Sequence, residues 1–147
     1  MDWDTENRIK GSFFVELNDV YTSAFDERRW GANNWYIERL KPEICFSWNW
    51  ANMVRFVAEI QIRNKNGGDI LYKYLEENAR SPKSFEWFVM PGMSRIIWEI
   101  EPEVDLNSLA NNDDYREYLI YAAIAAMKIL EEEFRHLINK YFEEYSD

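Results

Sequence analysis

The sequence contains very few residues that can act as nucleophiles, bases or soft metal ligands. Among its 147 residues there is one cysteine, Cys45, and one histidine, His136. A single cysteine excludes an intramolecular disulfide, and a zinc site requires three or four cysteine and histidine ligands. A cysteine nucleophile needs a base beside it, and His136 is the one imidazole available. We therefore expect no metal, no other cofactor and no nucleophilic catalysis.

Positive charge and long apolar runs are also scarce. The chain has 17 lysines and arginines against 27 aspartates and glutamates, so its net charge is -10. Residues 101–147 hold twelve of the acids and four of the bases, which makes that part unattractive to a phosphate backbone. The longest apolar run, Leu119–Met127, has nine residues, whereas a bilayer span needs about 20. The N-terminus lacks the pattern of a signal peptide. We expect a cytoplasmic protein that does not bind membranes.

Aromatic residues, in contrast, are abundant. The chain has 7 Trp, 9 Tyr and 9 Phe, and 47% of its residues are hydrophobic. This composition can supply a sizeable core without disulfides or metals. It predicts a single domain over residues 1–147.

The spacing of apolar residues changes along the chain. A repeat of three or four over residues 5–25 predicts a first helix, with Thr5 as its N-cap. A repeat of two then predicts five strands, with a short helix capped by Asp69 between the third and the fourth. The strands are expected at about residues 35–40, 44–50, 54–62, 85–89 and 96–100. Residues 101–113 are predicted to be a connection, and Asp113 or Asp114 is predicted to cap a last helix that runs to about Tyr145.

This order, α-β-β-β-α-β-β-α, predicts an α+β fold. We expect a five-stranded, mainly antiparallel sheet with helices packed on one face. In the second and third strands, alternation directs Trp48 and Ile60 toward the helices, and Ser47 and Glu59 toward the other face. Alternating apolar and polar residues are typical of a sheet with one face in water, so we expect Ser47 and Glu59 to be solvated.

Short motifs along the chain carry a family resemblance. They are Asn34-Trp35-Tyr36, Glu86-Trp87, Ser94-Arg95-Ile96 and the long segment after Tyr115. In their order they resemble a bacterial and archaeal domain family of unknown function that is often found C-terminal to nuclease-like domains. The resemblance spans about three quarters of the chain and implies the same succession of strands and helices. It implies an association with nucleases but no activity.

A metal-dependent nuclease is the enzyme class that the residues come nearest to. Such enzymes place an acid close to a strand that carries Glu-x-Lys, so that metal and lysine together stabilise charge on the phosphate. Glu43 precedes the strand segment Glu59-Ile60-Gln61, in which glutamine replaces the lysine. The match is partial, and we predict that the chain is not an enzyme.

The arginines of the sheet offer a nucleic-acid alternative. Arg55, Arg63 and Arg95 lie on or directly beside predicted strands and could contact phosphates. Glu59, Glu86 and Glu99 fall on the same faces of the predicted sheet, so ion pairs across the sheet are the simpler interpretation.

We therefore predict a non-enzymatic protein-interaction module. A compact acidic chain of this kind suits an inhibitor or accessory factor of a defence or mobile-element system. Its predicted partner surface is the acidic terminal helix, and the partner is a protein that the sequence does not identify. The candidate contact residues are Glu131, Glu132, Glu133, Glu143 and Glu144. The alternative is a nucleic-acid- or nucleotide-binding module that supports a separate nuclease.

The last helix also raises the question of self-association. Its segment Leu119–Leu130 is apolar nearly all round. A helix of this kind is either enclosed by the fold or paired with a second copy. A homodimer through Leu119–Leu130 is the second of these expectations.

Overall fold

A computed structural model describes residues 1–21, 29–30, 34–40 and 43–145. These residues form four helices and six strands, with one short 3-10 turn at Pro82–Ser84. In chain order the elements are α1 (Trp3–Val20), β1 (Arg29–Trp30), β2 (Asn34–Leu40), β3 (Ile44–Trp50), β4 (Phe56–Arg63), α2 (Gly68–Asn78), β5 (Glu86–Met90), β6 (Met93–Glu101), α3 (Leu106–Asn111) and α4 (Asp113–Tyr145).

The strands form one sheet in the order β1-β2-β3-β4-β6-β5, and every neighbouring pair is antiparallel. The predicted α+β class is confirmed. The predicted count of five strands is wrong, because the described part of the chain has a sixth, the two-residue strand β1. A strand that short shows no alternation of apolar and polar residues, so the sequence pattern could not reveal it.

The helices pack on the face of the sheet that carries Phe46, Trp48, Phe56 and Ile60, which we call the helix face. These side chains are at most 1% exposed. They join the buried side of α4 in one core, and the Trp48 indole N–H donates to the Ala123 carbonyl at 2.8 Å. Phe56 also meets Phe13 of α1 edge to face. The alternate apolar side chains of the strands and the buried sides of the helices thus meet in one layer of aromatic and aliphatic side chains.

Three predicted helix caps are corrected. Helix α4 is capped by Asn112, whose side-chain oxygen accepts from the Tyr115 N–H at 3.1 Å, so Asp113 is already inside the helix.

The other two corrections concern α1 and α2. Helix α1 begins after Asp2, whose carboxylate accepts a hydrogen bond from the Thr5 N–H at 2.7 Å. Thr5 is therefore inside the first turn, because an acid three residues earlier already caps the helix. The predicted end of this helix, residues 22–25, lies outside the described residues.

Helix α2 starts two residues earlier than predicted, because its cap is the left-handed residue Gly67 (φ 86°) and not Asp69. Asp69 is consequently in the first turn and is not the cap. The next residue, Gly68, packs so tightly on β4 that a Cβ there would lie 1.7 Å from the Arg63 carbonyl oxygen. The chain therefore requires glycine where it leaves the sheet.

The predicted connection at residues 101–113 contains a helix, α3. Asp105 caps it by accepting a hydrogen bond from the Ser108 N–H at 3.1 Å, and Leu106 and Leu109 are buried. Six residues are too few for a helical repeat to be read from the sequence. None of the described helices combines the length and the apolar composition needed to cross a lipid bilayer.

Candidate interaction surfaces

The second face of the sheet, which we call the polar face, carries Cys45, Ser47, Glu59, Gln61 and Arg95. Its centre is buried: Ser47 and Glu59 are both 0% exposed. The expectation that these residues are solvated is therefore wrong. Hydrogen bonds and an ion pair explain how a carboxylate tolerates such burial.

Glu59 lies at the centre of the polar face and contacts two of its other side chains. One carboxylate oxygen accepts from the Gln61 amide at 2.9 Å, and the other pairs with the Arg95 guanidinium. The Gln61 carbonyl oxygen in turn lies 3.8 Å from the Cys45 sulfur, which donates to it. The Ser47 hydroxyl and one terminal nitrogen of Arg95 are buried and have no hydrogen-bond partner among the described residues. The carboxylate is thus neutralised locally, while two polar atoms nearby find no partner in the described part of the chain.

The other two arginines of the alternative interface are also paired with acids. Arg55 binds Glu99 at 2.6 Å and also Glu86, and the hydrogen bond with Glu99 raises the pKa of the Arg55 guanidinium above its usual range. Arg63 is more exposed, and its closest contact with Glu43 is 3.6 Å. A phosphate group would have to displace a carboxylate from each of these arginines. The structure does not bring Arg55, Arg63 and Arg95 together as a free basic patch.

The five glutamates of the predicted acidic surface fall into two groups. Glu132, Glu143 and Glu144 are exposed on α4. Glu133 is buried, where it accepts from the Ser81 backbone N–H at 2.7 Å and pairs with Arg80 at 3.3 Å. Glu131 is half-buried and accepts a hydrogen bond from the Tyr21 hydroxyl. Only Glu132, Glu143 and Glu144 point outward, so the acidic surface is smaller than the sequence suggests.

The exposed side of α4 also carries positive charge. Lys128 and Lys140 are exposed between and beside the outward glutamates. Exposed opposite charges along one helix screen each other. The excess of acids in the sequence of residues 101–147 is therefore not concentrated on this helix face.

Most of the apolar segment Leu119–Leu130 is enclosed by the chain itself. Leu119, Ala123 and Met127 are fully buried in the core, whereas Tyr121 is 56% exposed. The dimer was predicted because this segment is apolar nearly all round. Burial within one chain already covers most of that apolar surface. The dimer through this helix stays a prediction.

The candidate catalytic residues lie apart. Cys45 is on the polar face, while His136 is exposed on α4, which packs on the helix face. Glu43 contacts Arg63 and Lys65 at the end of the sheet, away from the Glu59 pair. Among the described residues, no cluster of three or more carboxylates, cysteines and histidines could hold a metal ion.

The outer edge of β5 is a surface that the sequence did not single out. In the strand order β5 follows β6 and has no further neighbour among the described strands, so it is an edge strand of the sheet. Its last three side chains are exposed: Phe88 is 44%, Val89 73% and Met90 42% exposed. Trp87 anchors the strand, because its indole N–H donates to the Pro82 carbonyl at 2.7 Å and its ring meets Phe134 edge to face.

The pairing of β5 with β6 fixes which backbone groups face outward. Asn64 donates its N–H to the Gly92 carbonyl at 3.1 Å. Because hydrogen-bonded pairs alternate along an antiparallel ladder, the N–H and C=O groups of Ser94 and Ile96 also face β4. Arg95 therefore pairs with Phe88 of β5, and the backbone groups of Trp87 and Val89 point away from β6. No described backbone group hydrogen-bonds to them.

One sequence signal does mark this edge. The segment Trp87–Ser94 contains eight consecutive residues without a charge, turning at Pro91-Gly92. What the sequence could not provide is the strand order, which makes β5 an edge. A central strand with the same residues would be unremarkable.

Compared with models of protein families, with curated proteins and with solved structures, the chain matches none of them. The resemblance to a nuclease-associated family therefore stays a prediction.

Proposed function

We propose that this chain is a non-enzymatic protein-interaction module that binds another polypeptide as an added β-strand along the outer edge of β5. The observation that carries the proposal is the edge itself. The backbone groups of Trp87 and Val89 face outward without a described partner, and Phe88, Val89 and Met90 are exposed. Proteins usually protect such edges with charges, prolines or bulges. Between Trp87 and Met90 the strand has none of these.

Strand addition suits the chemistry of this edge. A partner strand supplies backbone hydrogen bonds, each with a net contribution of about 0.5–1.5 kcal/mol. It also covers Val89, and full burial of a valine side chain contributes roughly 2 kcal/mol. The scaffold is rigid at this point, since Trp87 is held by Pro82 and Phe134. Little ordering of β5 is therefore needed on binding.

The exposed acids have a secondary place in this proposal. Glu132, Glu143 and Glu144 project from α4 and favour basic groups on any part of a partner that reaches this helix. Glu131 and Glu133 act inside the chain instead. A module with a rigid edge and no catalytic cluster suits an inhibitor or accessory factor, of the kind found in defence or mobile-element systems.

The test replaces Val89 by lysine, because a charge on the edge blocks strand addition. Tagged wild type and Val89→Lys are used as baits in nuclease-treated lysate of the native host. We expect a polypeptide, either a second copy or another protein, to be retained by wild type and lost from Val89→Lys.

Val15→Lys is the matched control, since Val15 is 49% exposed on α1. It should retain whatever wild type retains, and thermal unfolding should show that both variants are folded. Equal capture by wild type and Val89→Lys would contradict the proposal.

A further inference from the structure

We infer that the strand that covers β5 is β5 of a second copy of this chain, in an antiparallel pair with its two-fold axis at Phe88. This inference rests on the proposed role of the β5 edge and names its occupant. Three features of the strand support it: the outward backbone groups, the order of its side chains and the local charge.

The backbone groups match in this register. Trp87 and Val89 each present an outward N–H and C=O. In an antiparallel pair centred on Phe88, Trp87 of one copy lies opposite Val89 of the other, and the reverse pair is identical by symmetry. Each of these two pairs exchanges both of its hydrogen bonds. All the outward groups of Trp87 and Val89 are then satisfied in both copies.

The side chains match as well. Residues directly opposite in an antiparallel pair share a face, so the exposed Val89 of each copy meets the Trp87 indole of the other on the helix face. The two Phe88 rings, 44% exposed in the single chain, meet on the polar face. Aromatic and β-branched pairs of this kind stabilise a sheet. The strand is therefore complementary to itself.

Charge does not oppose this pairing in spite of the net charge of -10. Glu86 is the only charged residue of β5, and it is paired with Arg55. In the register centred on Phe88, Glu86 lies opposite Met90 of the other copy. The two Glu86 side chains are then four residues apart along the strands, roughly 13 Å, which exceeds the Debye length of about 8 Å at physiological salt.

The first experiment measures mass in solution by light scattering over a wide range of protein concentration. We expect wild type and Val15→Lys to reach twice the chain mass, and Val89→Lys to stay at the chain mass. Tyr121→Lys tests the competing surface on α4, where Tyr121 is 56% exposed. It should leave the dimer intact.

The second experiment tests the register by oxidative cross-linking. Phe88→Cys places two sulfurs opposite each other, with the Cβ atoms about 4.5–5.5 Å apart, and should form a disulfide-linked dimer. Val89→Cys is the control. In this register residue 89 of one copy lies opposite residue 87 of the other, so the two residues at position 89 are two positions apart along the strands. Their Cα atoms lie beyond the roughly 7 Å limit for a disulfide. Cys45 is buried and is left in place.

The outcomes separate this inference from the proposed function. A wild-type chain that stays monomeric, a dimer that survives Val89→Lys, or a dimer lost only in Tyr121→Lys would each overturn the second-copy inference. If wild type is monomeric but still captures a different protein in a Val89-dependent way, the proposed function stands and only its occupant changes. If neither the mass nor the capture depends on Val89, both fail.

Discussion

At the scale of single residues, the polar face depends on one buried carboxylate. Glu59 is 0% exposed and is held by Arg95 and Gln61. A charge in such a place is tolerated only while its partners remain, because removing one member leaves the other uncompensated. Glu59 therefore stabilises the sheet through its contacts with Arg95 and Gln61.

Replacing Glu59 by glutamine should destabilise the fold by about 3 kcal/mol or more, since the buried Arg95 guanidinium then has no counter-charge. Urea denaturation measures this change. Glu132→Gln is the control, because Glu132 is exposed, and a surface change of this kind stays within about 0.5 kcal/mol. A loss below about 1 kcal/mol for Glu59→Gln would show that the pair does not carry the stability assigned to it.

Glu131 gives the fold a dependence on pH. Burial raises the pKa of this carboxyl above its ordinary value of 4.5, and the hydrogen bond from the Tyr21 hydroxyl offsets part of that rise. The folded chain therefore holds the Glu131 proton to higher pH than the unfolded chain. Between 4.5 and the raised pKa the folded state binds more protons, so this residue lowers the free energy of unfolding as pH rises.

Glu131→Gln removes this effect and keeps an acceptor for Tyr21. We expect the variant to gain stability relative to wild type as pH rises above 4.5, with the difference levelling off above the raised pKa. Urea denaturation at a series of pH values measures it, with Glu132→Gln as the reference. A difference that is constant with pH, or that changes in the opposite sense, would contradict the assignment.

At the scale of elements, α4 and β5 are connected through Glu133, a side chain that was predicted to lie on the surface. Glu133 of α4 accepts from the Ser81 N–H, directly before the turn at Pro82–Ser84 that leads into β5. The start of the edge strand is thus fixed by the terminal helix. This explains how an acid within the run Glu131-Glu132-Glu133 is buried while its neighbour Glu132 is exposed.

Glu133→Ala should cost about 1.5–3 kcal/mol, the usual contribution of a hydrogen bond to a charged group, because it removes the carboxylate that accepts from the Ser81 N–H. Chemical denaturation measures the loss, and Glu132→Ala and Glu143→Ala are controls that should change stability by less than about 0.5 kcal/mol. Equal effects at the three positions would mean that the contact with Ser81 is not a structural tie.

The elements that could be predicted from the sequence are those with enough repeats to show a period. The alternation around Trp48 and Ile60 identified two strands and their inward side, and the succession of helices and strands gave the α+β class. The short elements β1 and α3 were missed, since two and six residues do not define a period. The cap of α1 was misplaced because Asp2 and Thr5 are both suitable capping residues. The cap of α2 was misplaced because the chain enters that helix through the left-handed turn before Gly68.

The candidate site was harder to predict for a different reason. Whether Glu133 is buried, or whether β5 is an edge, depends on tertiary packing and strand order, and neither leaves a local pattern. Charge alone suggested an acidic helix face, but Lys128 and Lys140 share that face. The uncharged segment Trp87–Ser94 was visible in the sequence, yet it became informative only once the sheet order was known.

At the scale of the whole molecule, charge is separated from the proposed contact. Residues 101–147 carry a net charge of -8, from twelve acids and four bases. Residues 35–100, which include β5, carry eight acids and nine bases and are close to neutral. Repulsion between two copies is therefore weakest around β5, while the acidic end of the sequence opposes contact with phosphate.

This distribution predicts no binding to nucleic acid. Fluorescence anisotropy with labelled single- and double-stranded oligonucleotides at low salt should show none, because Arg55, Arg63 and Arg95 are paired with carboxylates. Binding that weakens steeply with salt and is reduced by Arg63→Ala would instead favour the nucleic-acid alternative.

The most direct test of the account is residue-specific amide hydrogen exchange in β5. Trp87 and Val89 point their N–H groups outward, while the Phe88 N–H faces β6 and is an internal reference. In concentrated wild-type protein we expect slow exchange at all three positions. Dilution, or the change Val89→Lys, should make exchange fast at positions 87 and 89 and leave Phe88 slow. Fast exchange of Trp87 and Val89 at every concentration would contradict the claim that a second copy covers this edge.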